Sequence, residues 1–175
     1  MNDLEPRQAV LVVIGLGSNI DPRENLPRGL AALEEAIEVV RVSRVYETEP
    51  VAAPGAPAFL NAAVLARTQL PFGELKQVFR TIESDLGRVR NPNDKSAPRQ
   101  IDIDLLTYGD EVVRDDSGAI LAPHPDLERH AYVALPLLDL AGDLKHAVTG
   151  ELLTAIAARF VGAGGVTPSD LQLQA

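Results

Sequence analysis

Two acids, Asp102 and Asp104, stand one residue apart in the run Arg99–Leu105 (RQIDIDL), between Ile101, Ile103 and Leu105. In an extended strand successive side chains alternate, so the two carboxylates share one face and the three aliphatic residues share the other. Neighbouring carboxylates repel, and a sheet gains nothing from them alone. A hard divalent cation such as Mg²⁺ would reverse that repulsion, since its preferred ligands are oxygens. Upstream lie Arg88, Arg90, Lys95 and Arg99, the cations that a polyphosphate needs. Metal carboxylates beside an arginine cluster suit phosphoryl-type transfer from a nucleotide. The plain alternative is a strand whose aspartates form its solvated face.

Other residues add weaker signals. Phe59 and Asn61, two apart on a predicted strand, also share a face. An aromatic platform beside an amide could stack and read a flat heterocycle, or the pair could be a core phenylalanine and an amide satisfied by backbone. Glu83, one turn beyond Phe79, either faces the same site or sits on an exposed helix surface. His124, held between Pro123 and Pro125, could donate to a phosphate oxygen or be structural. His130 and His146 carry less information, and three scattered histidines make no zinc site. The run Gly15–Asn19 (GLGSN) leaves a strand and enters a helix, but lacks the lysine of a phosphate-binding P-loop; tight turns are the plainer role of its glycines.

The elements that must position these groups follow from apolar periodicity. Ala9–Leu16 reads as a buried strand, and Asp21-Pro22 as the N-cap and first position of a helix carrying Leu26, Leu30, Leu33 and Ile37. Val39–Glu47 reads as one strand, Thr48–Pro57 as a long loop and Phe59–Arg67 as the next strand. Pro71 opens a second helix with Leu75, Phe79 and Ile82 on one side and Gly87 as its C′ residue, then a loop over 88–98 leads to the aspartate strand. The order β-α-β-β-α-β predicts an α+β, ferredoxin-like antiparallel sheet with helices on one face and the other face available. A short hairpin strand at Val112-Val113, a helical stretch over 126–140 bent by Pro136 and a last helix over 151–160 should follow. This gives an extension at 1–8, a domain over 9–160 and a flexible tail over 161–175.

The chain has 175 residues, a net charge of −9 and no cysteine. A single domain with a sizeable core is expected, without disulfides or thiolate metal sites. Residues 76–99 carry six Lys/Arg against three acids, so this segment is +3 and the remainder −12. A basic island in an acidic protein fits a small anionic ligand, not nucleic acid or an anionic membrane. The N-terminus has no basic signal region and Ala9–Ile14 is too short to span a bilayer, so a cytoplasmic protein is expected, a monomer with a dimer left open.

Taken together, Gly15–Asn19 (GLGSN), Tyr46–Pro50 (YETEP), Phe59–Ala63 (FLNAA), Gly87–Arg90 (GRVR), Pro98–Asp104 (PRQIDID) and Pro123–Pro125 (PHP) resemble, in order, the motifs of the 6-hydroxymethyl-7,8-dihydropterin pyrophosphokinase family. The resemblance spans roughly residues 10–155. It implies transfer of the terminal diphosphate of ATP to the pterin hydroxymethyl group, with release of AMP, in folate biosynthesis. Asp102 and Asp104 would hold two Mg²⁺ ions, and Arg88 and Arg99 would offset charge on the transferring group. Arg90 and Lys95 would contact nucleotide phosphates, with His124 assisting. The pterin would stack between Phe59 and Tyr132, with Asn61 and the backbone near Thr48 and Val51 reading its edge; Glu83 matches a family acid near the site. Three departures stand out. Lys95–Arg99 (KSAPR) replaces a common tryptophan-bearing run, His130 (beside Arg129) replaces an arginine, and Phe59 replaces the tyrosine of some relatives. A nucleotidyltransferase and a ferredoxin-like small-molecule sensing module are the competing classes. The loops 48–57 and 88–98 are expected to close over substrates.

Overall fold

The computed structural model describes residues 8–49, 57–89 and 97–174. The continuous apolar run near the N-terminus becomes strand β1 (Val10–Ser18), an interior strand of the sheet paired on both sides. Its residues feed two cores. Val12, Ile14 and Leu16 point into one, and Val13 into the other. Helix α1 (Pro22–Ala36) seals the first core with Leu26, Leu30 and Leu33. Strands β2 (Glu38–Val42) and β3 (Tyr46–Thr48) then pair in succession along β4 (Phe59–Thr68). Helix α2 (Phe72–Asp85) adds Leu75, Phe79 and Ile82 to the first core, and β5 (Asp102–Tyr108) returns beside β1. Every described pairing in this sheet is antiparallel, in the order β5-β1-β4-β3 with a further strand outside β3.

The chain beyond β5 corrects several expectations. The hairpin is β6 (Val113–Arg114) with β7 (Ile120–Ala122). The stretch 126–140 is no single bent helix but a 3₁₀ turn over Pro125–Glu128, a short helix α3 (Ala131–Ala134) and a second 3₁₀ turn over Leu135–Asp139. Pro125 and Pro136 each fall in a first turn, where their missing N–H is harmless, so they start new turns instead of bending one helix. With α4 (Leu153–Ala158) these pieces bury Leu127, Ala134, Leu137, Leu153 and Ile156 against Val13, Ala63, Leu65 and Leu106. The second sheet face is therefore covered at that end; it is left to the polar residues only toward Gly17, Asn61 and Asp102.

Three local readings also change. Val39–Glu47 divides in two because the β2 register slips between Val39 and Arg41 and Ser43 Oγ takes the N–H of Ala63 at 2.8 Å, replacing a ladder bond. Asp21 does occupy the N-cap position, but in the left-handed conformation (φ 40°), and its side chain caps nothing. Its main-chain carbonyl instead accepts from Glu24 and Asn25, both at 2.9 Å. The tail expected to fray carries strand β8 (Val166–Pro168), which pairs with β3 and sends Leu171 and Leu173 against the first core. Three residues paired with a strand over a hundred positions away leave no local periodicity to read.

Candidate active site

The strand registers assemble the site. Gly17 stands opposite Asp102 on one side and Asn61 on the other, and Gly15 opposite Asp104 and Ala63. The acid pair on β5 and the amide on β4 thus face the same way, roughly 10 Å apart across a strand that presents no side chain between them. A Cβ at Gly17 would lie 3.2 Å from Asn61 Oδ1 and 3.9 Å from Asp102 Cβ. These glycines are therefore not turn residues: Gly17 keeps the floor of the site bare, whereas a Cβ at Gly15 would meet Leu106 Cδ1 at 3.4 Å. Asn19 closes the same motif as a clasp: its Oδ1 accepts from Arg99 N at 2.7 Å, while Asn19 N and Ile20 N donate to Arg99 O at 3.1 and 3.2 Å.

The cations reach Asp102 from two directions. At the end of α2, Gly87 adopts φ +87° and donates to Ser84 O, and Arg88 N donates to Glu83 O at 2.9 Å. This Schellman turn folds Arg88 back over the last helical turn. There Arg88 Nη1 donates to both Glu83 Oε1 and Asp102 Oδ1. From the other side Arg99 Nη1 donates to Asp102 Oδ2 at 2.7 Å, and its guanidinium lies 5.9 Å from the centre of the Phe59 ring. Glu83 is not an exposed helix-surface acid: it is 2% exposed, and its Oε1 also accepts from Ile103 N at 2.9 Å. It ties the peptide between the two aspartates to the cation that serves them.

Among the described residues no arginine donates to Asp104 in this way. Burial first, then the charge of Asp102, hold its carboxyl above the usual 3.8, with Glu83 adding to the rise and His124 and Lys76 opposing it. That places Lys76, on α2, among the groups acting on the acid pair, although the sequence marks it only as part of the basic segment. His124 is fixed by its N–H to Leu106 O (2.8 Å) and by Asp126 N donating to its Nδ1 at 3.3 Å. With Nδ1 an acceptor, the neutral ring carries its proton on Nε2.

The heterocycle-reading group is also assembled. Asn61 Nδ2 donates to Thr48 Oγ1 at 2.9 Å, so the amide is satisfied by a side chain and not by backbone, and Phe59 stands two residues along β4. Tyr132, on α3, is held above its ordinary pKa by burial and then by the charges of Asp126, Asp104 and Asp102. His130, where an arginine is common, stacks on Tyr132 with centroids 5.2 Å apart. Of the other expected site residues, Val51, Arg90 and Lys95 lie outside the described residues.

The family model described as 7,8-dihydro-6-hydroxymethylpterin-pyrophosphokinase matches residues 13–142. The chain belongs to this family. Among relatives of the pyrophosphokinase family, the 2-amino-4-hydroxy-6-hydroxymethyldihydropteridine pyrophosphokinase of Aquifex aeolicus is 35% identical over 138 residues, covering 78% of this chain and 84% of that protein. The folic acid synthesis protein fol1 of Pneumocystis carinii is 38% identical over 143 residues, which is 79% of this chain. The chain spans only 18–27% of the length of the folate-synthesis proteins of this kind that it matches. The fold is shared with a crystal structure of Plasmodium falciparum HPPK-DHPS (TM-score 0.67, 16% identity, 90% of this chain and 44% of that one).

Proposed function

We propose that the chain transfers the terminal diphosphate of ATP to the hydroxymethyl group of 6-hydroxymethyl-7,8-dihydropterin and releases AMP, as one step of folate biosynthesis. The observation that carries this reading is the single face on which Asp102, Asp104, Arg88 and Arg99 adjoin Phe59, Asn61 and Thr48. One end of that face is charged for a metal-bound triphosphate, and the other is shaped for a flat, hydrogen-bonding ring. Family membership supports this chemistry over the nucleotidyltransferase and sensing-module readings. The β5-β1-β4-β3 order supports a ferredoxin-like description of the sheet. With a net charge of −9 and no cysteine, the chain is read as a cytoplasmic protein acting on small molecules within a domain at 9–160, a monomer with a dimer left open; β8 adds an edge strand to its sheet.

The donor set suits Mg²⁺. Two hard carboxylates lie together; burial first, and then the charge of Asp102, raise the pKa of Asp104, and a bound cation would favour its ionised form. Among the described residues no group of three or more such ligands gathers, which leaves coordination positions for phosphate oxygens and water. Asp102 and Asp104 would hold the two ions, which when bound neutralise triphosphate charge. Phosphoryl-type transfer needs alignment and charge compensation more than covalent catalysis. Arg88 and Arg99 both donate to Asp102. The planar guanidinium forks of Arg88 and Arg99 would match paired oxygens of a bound triphosphate and offset their charge. His124 donates from Nε2 to a phosphate oxygen, and Arg90 and Lys95 add nucleotide contacts. Phe59 and Tyr132 stack the pterin, while Asn61 and the backbone near Thr48 and Val51 read its edge. Of the segments 48–57 and 88–98 expected to close over substrates, residues 50–56 and 90–96 lie outside the described residues.

The test is direct. Purified protein mixed with MgATP and the reduced hydroxymethylpterin should form AMP and the pterin diphosphate in equal amounts. ADP as product, or no pterin-dependent AMP, would refute the proposal.

A further inference from the structure

The segment beyond residue 164 lies outside the family-matched residues 13–142, yet it is attached to the strand that carries Thr48. Strand β3 has three residues, and β4 flanks only one of its sides. Such a short edge strand is marginal by itself. On the other side β8 pairs with it residue for residue: Tyr46 with Pro168, Glu47 with Thr167 and Thr48 with Val166. Glu49 N donates to Gly165 O at 3.0 Å and Ser169 N to Val45 O at 2.8 Å, which places Glu47 and Thr167 in the hydrogen-bonded pair between them. The segment is anchored at its far end as well. Asp170 pairs with Arg23 at the start of α1, and Leu171 and Leu173 pack against the first core.

On its inner side β3 performs one task for the site: Thr48 Oγ1 receives Asn61 Nδ2. Orienting that amide leaves Oδ1 over the bare floor at Gly17. Glu49, the last described residue before 50–56, is held by the same segment.

We propose that residues 165–173 form a strap that positions the pterin subsite, holding β3 so that Thr48 keeps Asn61 in its reading orientation. The inference rests on the pterin reading given above and extends it to a part of the chain that touches no substrate. These are positioning residues, so their loss weakens pterin binding and leaves the nucleotide end, built on β5 and α2, unaltered.

Thr167→Pro tests this, because it removes the strap's N–H opposite Glu47 at an exposed position far from the cores. Two dissociation constants are measured by titration: that of a non-hydrolysable MgATP analogue, and that of the pterin in the presence of the analogue. The expected result is a pterin Kd raised about tenfold, the equivalent of about 1.4 kcal/mol, with the nucleotide Kd within about twofold of the parent. Faster exchange of the Asn61 side-chain amide protons by NMR should accompany it. A chain ended after Gly164 should show the same selectivity, more strongly. An unchanged pterin Kd overturns the proposal, and so does equal weakening of both ligands, the mark of a general loss of fold. Parent protein that forms no AMP refutes the assigned reaction and the strap together. Parent protein that turns over, beside a Thr167→Pro variant that binds pterin normally, refutes the strap alone.

Discussion

Replacing Glu83 probes the link between helix α2 and the acid pair. The carboxylate is 2% exposed and accepts from the Ile103 amide and from Arg88, whose side chain is itself largely buried. In Glu83→Ala the Ile103 N–H loses a buried acceptor, at about 1–3 kcal/mol. Arg88 loses one of two anionic partners; removing a buried partner outright costs about 3–5 kcal/mol, and retention of Asp102 reduces that. A total near 3–4 kcal/mol follows. Glu83→Gln keeps an oxygen for the amide and nearly the same shape, losing only the charge, so about 1–2 kcal/mol is expected. Urea denaturation separates the two. With a slope of about 1–3 kcal/mol per molar, the alanine variant should shift the midpoint down by roughly 1–4 M and the glutamine variant by roughly half of that or less. Alanine within about 0.5 kcal/mol of the parent, or glutamine as costly as alanine, would refute the two-bond account of Glu83.

Asp104→Asn should stabilise the fold at neutral pH while abolishing turnover. The native carboxyl titrates above its unfolded value of 3.8, so between those pH values the folded state holds a proton that the unfolded chain has released. Stability therefore falls as pH rises through that window and the penalty persists above it. Denaturation midpoints of both proteins across pH 4–7, where a less stable variant at pH 7 contradicts the reasoning, provide the check. Gly17→Ala puts a methyl group 3.2 Å from Asn61 Oδ1 and should raise the pterin KM about tenfold with a smaller change for MgATP; equal KM values in parent and variant would disprove the bare-floor role. Arg99→Ala removes the guanidinium that the proposed reading sets against the transferring group and should lower kcat about 100-fold or more. Arg99→Lys should recover part of that, since charge returns without the fork, and full recovery would count against bidentate contact.

How much could be read in advance depended on whether the deciding interaction is local. Asp102 and Asp104 on one face follow from strand alternation alone, and Gly87 as the helix-ending residue follows from its place after an apolar stripe. The burial of Glu83 does not, because it is set by the edge of β5 lying against the end of α2, twenty positions along the chain. Gly15 and Gly17 read as turn residues until the registers of β4 and β5 show them inside β1 with functional strands on both sides. The Asn61–Thr48 bond needs the β3–β4 pairing, and Lys76 acts on Asp104 only through the placement of α2. For β8 the partner strand lies at 46–48, so residues 166–168 look like any short polar stretch.

On the proposed reading, Asp102 and Asp104 would grip a metal-bound triphosphate opposite Arg88 and Arg99. Calorimetric titration of a non-hydrolysable ATP analogue into the parent protein and into the double variant Asp102→Asn/Asp104→Asn, each with and without Mg²⁺, measures it most directly. Binding that Mg²⁺ strengthens at least tenfold in the parent and leaves unchanged in the double variant is the predicted outcome. The same Mg²⁺ dependence in both proteins would contradict it.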